Sequence, residues 1–181
     1  MDALTFRRAT IDDAPFVATV MMEAVGMEYM ERDIVPVGHI LKVCQREDTL
    51  YSYHNAVIAM VGSEPVGALI SYSGEGYHET KVRTFAPIRD NLDFDPMAMD
   101  DETCEGEYYL DSAAVLPQHR GKGYGRKLIE YGVKRAAELG LLAVLACDPG
   151  NTGAYALYSS LGFKVNGSLY IFGHNYLRLT K

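Results

Sequence analysis

From Gly125 onward, small or apolar residues fall at Gly125, Leu128, Ile129, Gly132, Val133, Ala136 and Gly140. They draw one stripe along a helix and leave the charges on its opposite side. The next run, Leu141 to Cys147, is almost wholly apolar, as in a strand buried on both faces. Glu107 to Val115 reads as the strand before the helix, ended by Pro117. Strand, helix, strand in that order predicts a right-handed crossover between parallel strands. Upstream, Thr5 to Ala9 reads as a strand, and Asp12 or Asp13 as the cap of a helix running to about Val25 with Pro15 in its first turn. A second helix is expected within Val37 to Arg46. Ala56 to Val61 and Val66 to Ser73, joined at Gly62-Ser63-Glu64-Pro65, read as a hairpin. Downstream, Ala154, Leu157, Tyr158 and Leu161 form a helical stripe stopped by Gly162, and Phe163–Ile171 and Asn175–Leu179 close the chain as two strands. Residues 74–106 have no clean period, because glycine, acids, Pro87 and Pro96 interrupt it; they read as a long insertion with at most a short helix. The whole chain, 1–181, is expected to be a single mixed α/β domain.

Composition narrows the function. Apolar residues make up 48% and charged residues 23%, ordinary values for a globular chain. No apolar stretch approaches the ~20 residues of a membrane-spanning helix, and MDALTFRRAT lacks the layout of a secretion signal, so the cytoplasm is expected. Cys44, Cys104 and Cys147 are widely spaced, and five scattered histidines have no paired spacing, so neither a disulfide framework nor a metal site is expected. Cys147 reads as an inert core residue. The net charge of −7 argues against nucleic acid as a partner. Its distribution says more. Asp90, Asp93, Asp95, Asp100, Asp101, Glu102, Glu105 and Glu107 crowd one segment without a Lys or Arg, whereas six bases lie between Arg120 and Arg135.

The basic stretch opens with Gln118-His119-Arg120-Gly121-Lys122-Gly123-Tyr124-Gly125, placed between strand and helix. A helix start presents unpaired N–H groups and the positive end of its dipole, and glycines let a ligand approach that backbone. This predicts a phosphate cradle. The spacing is neither that of a dinucleotide fingerprint, which would need glycine where Arg126 stands, nor that of a P-loop, since Lys122 precedes Gly123.

Arg120-x-x-Gly123-x-Gly125, overlapping Gln118-x-x-Gly121-x-Gly123, resembles the pyrophosphate loop of the GNAT superfamily of acyl-CoA-dependent N-acyltransferases. Asn151, Ala154, Tyr158, Gly162 and Phe163 resemble its second signature, Asn-x-x-Ala-x-x-x-Tyr-x-x-x-Gly-Phe. The resemblance implies a central, mostly antiparallel twisted sheet of about 6–7 strands with one splayed parallel pair, flanked by about four helices. It implies acetyl-CoA as co-substrate, with the pyrophosphate on the backbone of Arg120, Gly121, Lys122, Gly123, Tyr124, Gly125 and Arg126. Its pantetheine arm would run between the splayed strands, bonded by backbone groups of Ala113 and Val115, beside small Ala113 and Ala114 and near Asn151 and Ala154. Homodimers are common among similar proteins, so a homodimer is also expected.

Acyl transfer from a thioester to an amine needs a neutral amine, a stabilised oxyanion and a proton for the departing thiolate. From spacing alone Tyr158 reads as a core aromatic; the resemblance makes it the proton donor to the thiolate, a role suited to a phenol that keeps its proton at neutral pH. Asn151 reads as a helix cap or as a pantetheine ligand. Strand alternation puts Glu107, Tyr109, Asp111, Ala113 and Val115 on one face, so Asp111 and Glu107 are the candidate bases, with Asp111 favoured; it can equally bind the acceptor without deprotonating it. His119 is expected to be exposed; His174, in the Gly173-His174-Asn175-Tyr176 turn, is read first as a hairpin-turn residue, with lining of the acceptor site as the alternative.

The acidic segment 74–107 with Tyr72, Tyr77, Tyr108 and Tyr109 is expected either to help form an acceptor pocket for a cationic amine of a small molecule or peptide or to be a solvated lid. The rival is a noncatalytic acyl-CoA-binding domain, which would need no proton donor. A nucleotide-phosphate binder, a third reading, predicts ATP binding that coenzyme A does not displace.

Overall fold

The computed structural model describes residues 3–25, 37–91 and 95–181; Asp93 of the acidic run lies outside them. Seven strands form one sheet: β1 (Leu4–Arg8), β2 (Ala56–Val61), β3 (Glu64–Ser73), β4 (Glu107–Val115), β5 (Leu142–Cys147), β6 (Lys164–Ile171) and β7 (His174–Thr180). Their order is β1-β2-β3-β4-β5-β7-β6, and only β4 and β5 run parallel. Among the described residues, five helices flank it: α1 (Ala14–Val25), α2 (Val37–Gln45), α3 (Tyr77–Phe85), α4 (Tyr124–Leu139) and α5 (Thr152–Ser160). The expected mixed fold is therefore present, and α3 is the short helix that the reading of the insertion allowed for.

The two faces of the sheet bury separate cores. One collects α1, α2 and the insertion through Val17, Val20, Val43, Ile70, Tyr77 and Tyr109. The other seats the predicted stripe of α4, with Leu128, Ile129 and Ala136 against Leu69, Leu110 and Leu145. Gly132 lets α4 come close: a Cβ there would stand 2.5 Å from Leu110 Cδ2. The start of α1 departs from expectation. Neither aspartate is the cap itself; Asp13 reaches back to accept from the Thr10 N–H at 2.8 Å and is held by Arg7 at 2.7 Å.

The insertion is tied down at both ends. Tyr170 N–H donates to Asp100 Oδ2 at 2.7 Å, and buried Lys81 bonds Met99 O at 3.0 Å and Asp101 Oδ1 at 2.5 Å. At its start, Gly74 passes so close to the returning chain that a Cβ would stand 2.0 Å from the backbone oxygen of Cys104. Gly74→Ala is thus expected to destabilise the fold by roughly 3 kcal/mol, the upper end of ordinary overpacking. That corresponds to about 10 °C in the unfolding midpoint of a domain this size. A melt followed by circular dichroism measures it; an unchanged midpoint would mean that this return can shift.

One irregularity in β4 matters for the site. Ile70 pairs with Ser112 but Ser71 pairs with Leu110, so Asp111 is the extra residue of a β-bulge. The expected alternation holds through Asp111 and then inverts. Asp111 and Ser112 both turn to the α1 face, while Ala113 and Val115 pack with α4 on the other. The single face expected for Glu107, Tyr109, Asp111, Ala113 and Val115 is therefore corrected, because sequence alternation cannot register an inserted residue.

Candidate active site

The parallel pair is short. β4 and β5 are paired only at Glu107, Tyr109 and the residue between them, opposite Leu142 to Val144. Beyond, β4 stays with β3 and β5 with β7, so the strands part and leave a cleft of about 1220 Å³. Leu116 N–H donates to Val66 O on β3, and alternation then turns the peptide groups of Ala113 and Val115 into the gap. The expectation that both are free needs one correction: the Val115 carbonyl accepts from Arg120 Nε at 3.0 Å. Its N–H and the Ala113 groups still face the cleft.

The glycine loop closes one end. Gly121 and Gly123 adopt φ of 77° and 79°, open to glycine at no steric cost, and a Cβ on Gly121, Gly123 or Gly125 would meet nothing within 4 Å. Among the described residues, none accepts a hydrogen bond from the N–H groups of residues 121–126. The start of α4 therefore presents a bare, positively polarised ring of donors. Side chains brace this loop. Arg120 also reaches Glu23 Oε2 at 2.6 Å, and Arg126 donates to Ser160 Oγ on α5 at 2.6 Å. Lys122 is exposed and is not in the cleft wall. His119 is not exposed as expected; it is largely covered beside Glu64, 3.1 Å away, and lines the cleft.

Across the gap, α5 supplies Ala154, Leu157 and Tyr158 to the wall. Asn151 caps α5, its Oδ1 accepting from the Ala154 N–H at 3.0 Å, so the capping reading holds, and its amide nitrogen is left to donate to a ligand. Tyr158 packs its ring edge-on to Phe163, centroids 6.0 Å apart, yet also lines the cleft. Burial, with Cys147 beside it, pushes the phenol up to about 12, so it holds its proton through the neutral range.

The far end of the cleft is acidic and aromatic. Asp111 Oδ2 accepts from Tyr72 Oη and Oδ1 from Ser112 Oγ at 2.7 Å. Burial lifts this carboxyl above its ordinary range, opposed by those two hydrogen bonds. Beside it lies Glu102, only 3% exposed, accepting from Tyr77 Oη at 2.9 Å and from Tyr109 Oη. Burial and then the charge of Asp111 raise Glu102 to about 7. Tyr51 completes the wall. Glu107, the other candidate base, is elsewhere: it is buried in an ion pair with Arg178 and accepts from Thr103 Oγ1 at 3.0 Å, outside the cleft wall. Tyr108, expected in this pocket, points to the opposite face and bonds Ser71 at 3.0 Å. His174, beside the turn at Gly173, starts β7 and lines the cleft, in keeping with the alternative reading of it. Sequence reasoning missed Glu102 and Tyr51. Glu102 was one acid among eight, and nothing in the run marked it as the buried one.

No described helix is long and apolar enough to cross a membrane. The sequence model of the acetyltransferase (GNAT) family matches residues 35–163. Mycothiol acetyltransferase of Kocuria rhizophila is 33% identical over 108 residues, which are 56% of this chain but only 31% of that protein. Among solved structures, an N-acetyltransferase from Staphylococcus aureus Mu50 superposes with a TM-score of 0.77 at 23% identity, covering 98% of this chain and 100% of that one. PaiA N-acetyltransferase of Thermoplasma acidophilum, solved in complex with coenzyme A, gives 0.59 at 15% identity, covering 99% and 98%.

Proposed function

The chain belongs to the acetyltransferase (GNAT) family, and from that premise we propose that it transfers an acetyl group from acetyl-CoA directly to a primary amine, without an acylated enzyme. The observation that carries this reading is the continuity of one cleft, from the bare N–H groups at the start of α4 to Asp111, with Tyr158 in its wall. Acetyl-CoA supplies the activated acyl group. The residues present fit it. The N–H groups of residues 121–126 and the helix dipole bind its doubly charged pyrophosphate. The Val115 N–H and Ala113 peptide groups bond the extended arm, and Ala113 and Ala114 leave it room. Tyr158 holds a proton at Oη and gives it to the departing sulfur. Asp111 takes a proton from the amine nitrogen, which must shed one before it can attack. A purely acyl-CoA-binding domain gives no reason for a protonated phenol and a buried carboxyl to line the same cleft.

The acceptor pocket favours a cation. Two carboxylates, Asp111 and Glu102, sit among the rings of Tyr51, Tyr72, Tyr77 and Tyr109. A small molecule or a peptide terminus carrying positive charge is attracted by the carboxylates and held by ring faces. The test is thiol release from acetyl-CoA with a panel of neutral and cationic primary amines, the product identified by mass spectrometry. Cationic amines are expected to show the higher kcat/KM, falling as salt is added. Equal, salt-independent rates would remove the electrostatic preference, and no acetylated product with any amine would remove the function.

A further inference from the structure

We propose that Glu102 is a positioning residue for proton removal, sharing one proton with Asp111 so that the two carboxyls take up the proton of the incoming ammonium as a single unit; this rests on the amine-acetyltransferase reading of the cleft. Both carboxyls line that cleft, and each oxygen already accepts from a different hydroxyl: Tyr77 and Tyr109 on Glu102, Tyr72 and Ser112 on Asp111. The rings that carry these hydroxyls are packed together, Tyr72 to Tyr109 at 5.9 Å and Tyr72 to Tyr77 at 6.3 Å.

Among the described residues, no Lys or Arg forms an ion pair with either carboxyl. Lys81, which faces Glu102 from α3, is committed to Asp101 and Met99 O, and His78 bonds that same Asp101. Arg178 is committed to Glu107. Two carboxylates so placed resist ionising together, and the proton affinity of each rises with the charge of the other. The influence of Asp111 on Glu102 is felt in this direction.

Chemistry gives the pair its use. An isolated carboxylate is too weak a base to draw a proton from an ammonium, and a neighbouring negative charge narrows that gap. One N–H bond of the ammonium breaks, its electron pair stays on nitrogen, and the proton passes to Asp111, whose affinity for it Glu102 has raised. Nitrogen then forms the bond to the acetyl carbon as the carbon–sulfur bond breaks, and sulfur takes the proton of Tyr158. The second proton of the nitrogen is lost to solvent, solvent returns a proton to the phenol, and Asp111 releases the proton it took, which restores the site and accounts for the one proton set free per turnover.

Two measurements test the unit. With the best amine of the panel, wild-type kcat/KM should rise with pH through an inflection near 7, where Glu102 titrates. Glu102→Gln should lower kcat/KM by about 10²-fold and abolish the inflection while coenzyme A affinity holds. Tyr77→Phe removes a donor that favours the ionised form, so it should move the inflection to higher pH. A bystander would leave both rate and inflection in place, and that result overturns the proposal.

Thermal unfolding needs no acceptor. The folded pKa of Glu102 lies above its ordinary 4.5, so the folded state keeps a proton that the unfolded chain releases, and stability is lost as pH rises from about 4.5 through about 7. The melting difference of Glu102→Gln minus wild type should therefore grow over that window. A flat difference also overturns the proposal. Should no amine be acetylated by the wild type, the functional reading fails, and the melting difference measured again in an Asp111→Asn background, where coupled carboxyls make it smaller, still decides whether the two are coupled. If Glu102→Gln does not fold, the inflection of Tyr77→Phe decides.

Discussion

Tyr158→Phe is expected to lower kcat by about 10²-fold or more, the usual contribution of a positioned proton donor, while coenzyme A binds as it does to the wild type. The ring supports this separation of effects. Tyr158 packs against Phe163, and Phe keeps that contact, so the α5 wall and the loop that Arg126 braces on Ser160 are undisturbed. Only the hydroxyl is lost. The departing thiolate must then take its proton from water, and the loss should shrink for acyl donors with a more acidic thiol. In the wild type, the phenol sits at about 12, so its ionisation should cost no rate across the neutral range. Steady-state kinetics and calorimetric titration with coenzyme A measure the two halves. A variant with full activity would make Tyr158 a packing residue, and one that loses coenzyme A would make it a ligand.

Asp111→Asn should also cost about 10²-fold or more in kcat/KM, with a different pH signature. Asparagine keeps the shape of the bulge and can still accept from Tyr72, but it cannot take up a proton. Removing the negative charge also removes one of the two effects that raise Glu102. A like charge disfavours ionisation, so its loss moves the titration of Glu102 downward. Whatever rate remains should therefore show its inflection at lower pH than the wild type. Rate measurements from pH 5 to 9 locate it. An inflection that stays in place while the rate falls would mean that the two carboxyls act independently. An unchanged rate would restrict Asp111 to binding the acceptor.

Much of the α4 half of the molecule was legible in the chain itself. The stripe from Gly125 to Gly140, the apolar run to Cys147 and the intervening order of elements place α4 and β5 correctly, since amphipathic period and two-sided burial are local properties of sequence. The glycine loop was legible for the same reason: residues 121–126 lie next to one another, and the start of a helix is always short of acceptors. Tyr158 stands on the helix that its stripe predicted.

The acceptor end was legible only in part. Its acid and tyrosine content is visible, but which acid is buried is not. Glu107 and Asp111 are equivalent in strand alternation, and tertiary structure separates them: Arg178, 71 residues away, neutralises the first, while the second accepts from Tyr72 and Ser112 in the wall of the cleft. Glu102 becomes a chemical group only because α3, carrying Tyr77, and β4, carrying Tyr109, close over it from opposite sides. The same holds for the splay of β4 from β5, which is set by what β5 pairs with and not by either strand's composition. Periodicity and turn chemistry act over a few residues, so the sequence alone determined most of the elements and the glycine loop at the start of α4. Burial, charge pairing and strand register depend on residues far apart in the chain, so only the tertiary structure decided which carboxyls line the cleft.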